Sequence, residues 1–219
     1  MLELNKIYCG SCLEIMKDFP DKYFDLCLTD PPWNVGKDFG GYKDNLKPKE
    51  YLAFIENLIN EFKRISDNKI VLILGSKMLR EWWNYIPDAK LIIARMGASS
   101  NNKIKNLSLQ FHPILTTVKS NKWGPDIWLD IRWPGEGYFF NEKRYGHPTI
   151  TPLKLTKRLI RIFSNENDIV LDPFVGSGTT AVACKLLDRK FIGIEINPDY
   201  VDIANKRLAN TYYQPELIK

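Results

Sequence analysis

An α/β fold, with a mostly parallel central sheet flanked by helices, is the architecture these 219 residues predict. Three observations carry that expectation. Short continuous apolar runs recur at residues 23–28, 70–74, 169–171 and 191–194, the length and composition of strands buried on both faces. Segments between them place apolar residues at helical spacing. The C-terminal third also reads strand, glycine turn, helix, strand and acid in succession, the order of a nucleoside-binding βαβ unit. With 44% hydrophobic and 26% charged residues, the composition is that of a globular domain with a substantial core.

Taken in order, residues 6–9 predict a strand and residues 12–16 a brief helical turn ending before Pro20. The run Tyr23-Phe24-Asp25-Leu26-Cys27-Leu28 is the next strand, halted by Pro31 and Pro32, which cannot donate to a ladder. Residues 34–47 are polar and glycine-rich and predict a loop over the strand end. From Pro48, the residues Tyr51, Leu52, Ile55, Leu58, Ile59 and Phe62 mark one face of a helix. A buried strand at 70–74, a helix at 78–85 and a strand at 90–94 follow. Thr151 and Pro152 predict an N-cap and a first helical residue, with Leu155, Leu159, Ile160 and Phe163 as the apolar face. Lys154, Lys157, Arg158 and Arg161 read as its solvated flank.

Residues 95–146 differ in character. Eight Lys or Arg stand against four Asp or Glu, interleaved with Phe111, Trp123, Trp128, Trp133, Tyr138, Phe139, Phe140 and Tyr145. Cations for phosphates and aromatics for base stacking suit a nucleic-acid surface, while the same aromatics could equally form a small core. The expected organisation is a catalytic half at 1–94, a target-recognition insertion at 95–146 and a cofactor half at 147–219.

Two stretches carry the chemistry. In Thr29-Asp30-Pro31-Pro32-Trp33, a carboxylate, stiffly held carbonyls and a flat aromatic share one rim. That combination suits a planar ligand bearing an amino group, such as a nucleobase; alone, the stretch reads equally as a Pro-rich turn with an aromatic plug. In Asp172-Pro173-Phe174-Val175-Gly176-Ser177-Gly178-Thr179, a strand passes through glycines into a helix start whose free N–H groups suit an anionic group. Glu195, closing the next strand about 20 residues on, is placed for ribose hydroxyls. Asn197 and Pro198 open the last helix. Only G-x-G is present, without the third glycine of a dinucleotide fingerprint, so S-adenosylmethionine suits the site better than a nicotinamide cofactor.

The net charge of +5 and pI near 8.9 are compatible with a polyanionic partner. Cys9 and Cys12 form a lone C-x-x-C without the further ligands zinc needs, and Cys27 and Cys184 read as small hydrophobes; no metal is expected. The N-terminal residues lack an apolar signal segment and no apolar run is long enough to span a bilayer, so a cytoplasmic location without membrane partners is expected.

Asp30-Pro31-Pro32-Trp33 followed by Asp172-Pro173-Phe174-Val175-Gly176-Ser177-Gly178 resembles the beta-class S-adenosylmethionine-dependent DNA amino-methyltransferases. Residues 10–16, the Gly146-His147-Pro148-Thr149 segment and Ile192-Gly193-Ile194-Glu195-Ile196-Asn197 are similar to that family's remaining motifs. The resemblance spans nearly the whole chain outside 95–145. It implies a Rossmann-like methyltransferase fold with circularly permuted motif order and transfer of methyl to an amine of a flipped base in double-stranded DNA. S-adenosylmethionine would leave as S-adenosylhomocysteine, and no metal would take part. It implies catalytic roles for Asp30, Pro31, Pro32 and Trp33. Cofactor contacts are implied for Ser11, Cys12, Thr149, Asp172, Phe174, Gly176, Ser177, Gly178, Thr179, Glu195 and Asn197. In that family Asp at the first motif position favours adenine N6 over cytosine N4. Cytosine N4, an RNA base, a protein glutamine amide and an inactive nucleic-acid-binding homologue are the alternatives. DNA methylation within restriction-modification is the implied setting, with a homodimer and a cognate restriction endonuclease as further partners to test. Two positions depart from the family: Ser11 stands for its adenine-binding Asp, and Thr151 for a Lys near the methionine end of the cofactor. A weaker grip on the cofactor is the expected consequence.

Overall fold

The computed structural model describes residues 3–39, 44–95, 111–120, 125–129 and 149–212. Eight strands form one sheet: β1 (Lys6–Cys9), β2 (Leu26–Thr29), β3 (Ile70–Ile73), β4 (Lys90–Arg95), β5 (Phe111–Thr116), β6 (Ile127–Trp128), β7 (Ile169–Asp172) and β8 (Lys190–Glu195). Their spatial order is β1-β8-β7-β2-β3-β5-β4-β6. The pairs from β1 through β3 are all parallel, and only β5 runs antiparallel to its neighbours β3 and β4. The expected mostly parallel sheet is therefore observed.

Helices cover both faces. They are α1 (Cys12–Met16), α2 (Pro48–Ser66), α3 (Leu79–Tyr85), α4 (Leu153–Phe163), α5 (Thr179–Leu186) and α6 (Pro198–Ala209). Alternate side chains of each strand enter opposite layers. Cys27, Leu72 and Leu171 pack with α2 residues such as Ile55, Ile59 and Phe62. Leu26, Leu28, Val71, Ile73 and Val170 pack with Leu155, Leu159 and Ala183 of α4 and α5. Burial on both faces is why these strands read as unbroken apolar runs rather than alternating ones.

This layering places the site. Strands β2 and β7, 143 residues apart at Thr29 and Asp172, lie side by side and parallel. The helix after β2 goes to one face and the helix after β7 to the other. A crevice opens outside their carboxyl ends, as at the switch point of any doubly wound sheet.

Two features differ from expectation, and Trp128 follows one of the two readings open for it. Strand β5, inside the stretch read as an insertion, lies within the central sheet between β3 and β4. Pro113 hid it, since an interior proline argues against a central strand; here its carbonyl accepts from the Leu74 N–H at 2.9 Å. Trp128 on the two-residue β6 is buried at 4% exposure and packs in the core, with the Arg158 guanidinium 5.1 Å from its ring. Trp123, Trp133, Tyr138, Phe139, Phe140 and Tyr145 lie outside the described residues. Finally, Thr151 does not cap α4: Pro152 occupies the N-cap position and its carbonyl accepts from Thr156.

Candidate active site

Asp30 follows the last residue of β2 and Asp172 closes β7, so the sheet alone brings the two chemical stretches together. They line one cavity of about 330 Å³, within the range of small-ligand sites. Thr29 and Asp172 are joined directly: the Thr29 hydroxyl donates to Asp172 Oδ1 at 2.6 Å, with both residues buried. The same oxygen accepts from the Phe174 N–H at 3.1 Å. Asp172 therefore locks the strand before the glycine turn to the strand before the Pro-Pro rim.

Burial pushes the Asp30 carboxyl up from 3.8 to about 7, and Asp172 acts in the same direction. Opposing it are the Thr151 hydroxyl, which donates to Asp30 Oδ2 at 2.9 Å, the Trp33 side chain and Lys37. The Trp33 indole nitrogen is buried and meets no acceptor at hydrogen-bond geometry; it steadies the carboxylate by proximity. Asp30 is thus a carboxylate held at high cost in a poorly solvated place, the environment in which its hydrogen bonds count for most.

The rim is supported from below. The Tyr51 hydroxyl of α2 donates to the Pro32 carbonyl at 2.7 Å and accepts from the Trp82 indole N–H of α3 at 3.2 Å. The Trp33 ring lies against the backbone of Gly75, where an added Cβ would come within 2.8 Å of it. The His112 ring stands 5.1 Å away, tilted by 43°. Burial depresses the His112 imidazole to about 4, so this neighbour is neutral near pH 7. Asp44, itself buried, accepts from the backbone N–H groups of Asn34 and Val35 and fixes the exit from the rim.

On the facing wall, Glu195 accepts from the Gly176 N–H at 3.0 Å and the Asn197 N–H at 2.9 Å. Burial raises its pKa while these N–H groups oppose the rise, so a carboxylate is fixed at the end of β8 with its remaining lone pairs available to hydroxyls. Arg207 of α6 donates to the Ser177 carbonyl and hydroxyl at 2.6 and 2.9 Å, clamping the glycine turn. The Cys12 thiol, pushed up to about 12 by burial, is un-ionised near neutral pH and no nucleophile.

Asp30, Pro31, Pro32 and Trp33 line the cavity together with Ser11, Cys12, Thr149, Asp172, Phe174, Gly176, Ser177, Thr179 and Glu195. Gly178 and Asn197 stand just behind that lining, between or beside residues that form it. Gly178 has φ +87°, and an added Cβ would come within 2.8 Å of Ala204 in α6; its bareness serves helix packing. Asn197 caps α6 through Asp199 N–H and donates to the Phe39 carbonyl at 2.9 Å. Conversely, Lys37 and Phe54 line the cavity, and Tyr51 and Gly75 support it, though the linear sequence marks them only as loop, core or strand end; Thr151, which the sequence marks as a cap and as a departure from the family's Lys, lines it as well. Among the described residues no cluster of three or more His, Cys, Asp or Glu could hold a metal, and no helix is long and apolar enough to cross a membrane.

An amine-accepting rim and a hydroxyl-accepting carboxylate across one switch-point cavity define a protein that brings a nucleoside cofactor to a planar amine. The chain belongs to the DNA methylase family N6_N4_Mtase, whose profile matches residues 24–86 and 76–206. It is 32% identical to the type II methyltransferase M.HpaI of Haemophilus parainfluenzae over 94% of this chain and 75% of that protein. It is 30% identical to the DNA adenine methyltransferase YhdJ of Escherichia coli over 99% of this chain and 87% of that one. Among solved structures, the M1.HpyAVI complex with S-adenosylmethionine superposes with a TM-score of 0.68 at 28% identity, covering 93% of this chain and 98% of that one. The PvuII cytosine-N4 methyltransferase shares the fold, with a TM-score of 0.73 at 19% identity over 97% and 87% of the two chains.

Proposed function

We infer that this chain transfers a methyl group from S-adenosylmethionine to the N6 amino group of an adenine rotated out of double-stranded DNA. The observation that carries the reading is the single cavity shared by the Asp30-Pro31-Pro32-Trp33 rim and the Asp172-to-Glu195 wall. The cofactor supplies an electrophilic methyl on sulfur. The chain's residues do the rest. Glu195 accepts from ribose hydroxyls, while Ser11, Cys12, Thr149, Phe174, Gly176, Ser177 and Thr179 enclose the remaining surface. Gly178 and Asn197 act on that wall indirectly, through α5 and α6.

An exocyclic amine is a weak nucleophile because its lone pair is delocalised into the ring. Asp30 and the Pro31 carbonyl, accepting from its two protons, favour a pyramidal nitrogen and stabilise the positive charge that develops on it. The Pro32 carbonyl already accepts from the Tyr51 hydroxyl, so Pro31 offers the less engaged carbonyl beside Asp30. Trp33, backed by Gly75 and His112, stacks on the base and offsets part of the stacking lost from the duplex. Proximity supplies much of the remaining acceleration.

Adenine is favoured by Asp30 at the first motif position and by the likeness to a named adenine methyltransferase. The type II names among the relatives support a restriction-modification setting; a cognate endonuclease, a cytoplasmic location and a homodimer belong to the same reading on the family resemblance alone. Residues 95–146 then serve target recognition outside the part that β5 and β6 give to the sheet. The test is transfer of labelled methyl to unmethylated duplex DNA followed by nucleoside digestion, with Asp30→Ala alongside. Label in N6-methyladenine, lost in the variant, is expected. Label in N4-methylcytosine would overturn the base assignment, and no label on DNA with cofactor still bound would overturn the substrate.

A further inference from the structure

We propose that Thr151 is a positioning residue of the catalytic carboxylate, fixing Asp30 by one oxygen so that the other is presented to the target amine. The inference rests on the methyl-transfer reading above and goes beyond it by assigning a residue from the far half of the chain to the amine site. Thr151 precedes α4, where the linear sequence places a helix cap. The cap position is instead Pro152, and the hydroxyl donates to Asp30 Oδ2 at 2.9 Å across 121 residues of chain. Both residues line the cavity.

The geometry gives this bond a defined effect. A carboxylate at the end of a strand can rotate about its last bond; one hydrogen-bonded oxygen stops that rotation and directs the other. A neutral hydroxyl does so without adding a cation beside a bound sulfonium. It also favours the ionised carboxylate, because a hydroxyl proton is donated to the charged form. The other groups facing Asp30 are distributed on every side. Asp172 on β7 disfavours its charge, while Trp33 on the rim and Lys37 on the segment after it favour it. Asp44 and Glu195 are the further carboxylates on the cavity wall. Thr151 is the uncharged member that makes a direct, well-formed bond.

The test compares wild type with Thr151→Val, Thr151→Ala and Thr151→Ser. Aspartate carboxyl carbons are labelled with ¹³C and titrated by NMR, with Asp30→Asn identifying the Asp30 resonance; pH–rate profiles for methyl transfer are recorded in parallel. Cofactor binding by calorimetry and a thermal melt verify that each variant is folded. The Val and Ala variants are expected to bind the Asp30 proton about tenfold more tightly, the scale of one hydrogen bond to a charged group. The acidic limb of kcat should move to higher pH by the same factor, with KM for DNA changed less than threefold. Ser should restore both within about twofold of wild type. An Asp30 titration that superposes on wild type in folded Val and Ala variants would overturn the proposal, as would failure of Ser to restore it. If wild type transfers no methyl at all, the functional reading fails. The NMR titration would then still decide whether Thr151 governs Asp30.

Discussion

Asp30 is destabilising where it sits, and that has a measurable sign. Its carboxyl binds a proton more tightly in the folded chain, at about 7, than at its ordinary 3.8. Its contribution to stability is therefore fully present below about pH 4 and lost as pH rises through 7. Asp30→Asn keeps the shape and an acceptor for Thr151 while removing the charge. Thermal melts should show the variant more stable by on the order of 2–4 kcal/mol at pH 8, with no gain below pH 4. Its methyl transfer should fall by about a hundredfold or more, the scale of a lost transition-state partner. A variant no more stable than wild type at pH 8 would mean that Asp30 is better solvated than its surroundings imply. Trp33 gives a second residue-scale prediction. Gly75→Ala puts a methyl 2.8 Å from the indole, so the ring must shift, at about 1–3 kcal/mol for overpacking. Intrinsic tryptophan fluorescence should change and KM for DNA should rise, while cofactor affinity, set on the opposite wall, should hold.

Between elements, the contact of α5 with α6 decides the shape of the cofactor wall. Gly178 meets two demands together, φ of +87° and a backbone close to Ala204. Gly36 meets only the first, with φ +76° and open space around it. Gly178→Ala should therefore cost about 2 kcal/mol or more, conformational strain and overpacking adding. Gly36→Ala should cost about 1–2 kcal/mol, the left-handed penalty alone. Urea denaturation of the pair separates the two terms, and equal losses would show that the α5–α6 contact relaxes freely. Asn197 belongs to this scale as well. Its carbonyl oxygen caps α6 and its amide donates to Phe39, tying the segment after the rim to the cofactor half.

Across the whole molecule, the sheet is most protected where the site is anchored. Strands β2, β3 and β7 are flanked on both sides and covered on both faces, whereas β1 lies at an edge with partly exposed residues along its length. Native-state hydrogen exchange should open β1 at lower free energy than Leu26–Thr29, Ile70–Ile73 or Ile169–Asp172. Slower exchange in β1 than in β2 would contradict this arrangement. A rigid centre beneath mobile substrates is also what the amine site requires, since both catalytic stretches leave from these strands.

The class of fold and the order of the two chemical stretches are legible in the linear sequence. Periodicity, chain-breaking prolines and glycine spacing are local properties, so the strand before Asp30 and the turn after Asp172 are legible along the chain. Which distant groups meet is set by packing. Pro113 disguised a central strand because its missing N–H matters only on the side where a neighbour needs it. Thr151 read as a cap and as a departure from a cofactor-side Lys, because its hydroxyl is judged locally until Asp30, 121 residues away, is brought within 2.9 Å. Tyr51 read as core and Gly75 as a strand end, since nothing in linear spacing announces a hydroxyl beneath Pro32 or an indole against a backbone. Local pattern carries the elements; the meeting of hydroxyl with carboxylate, or ring with glycine, is set by how those elements pack.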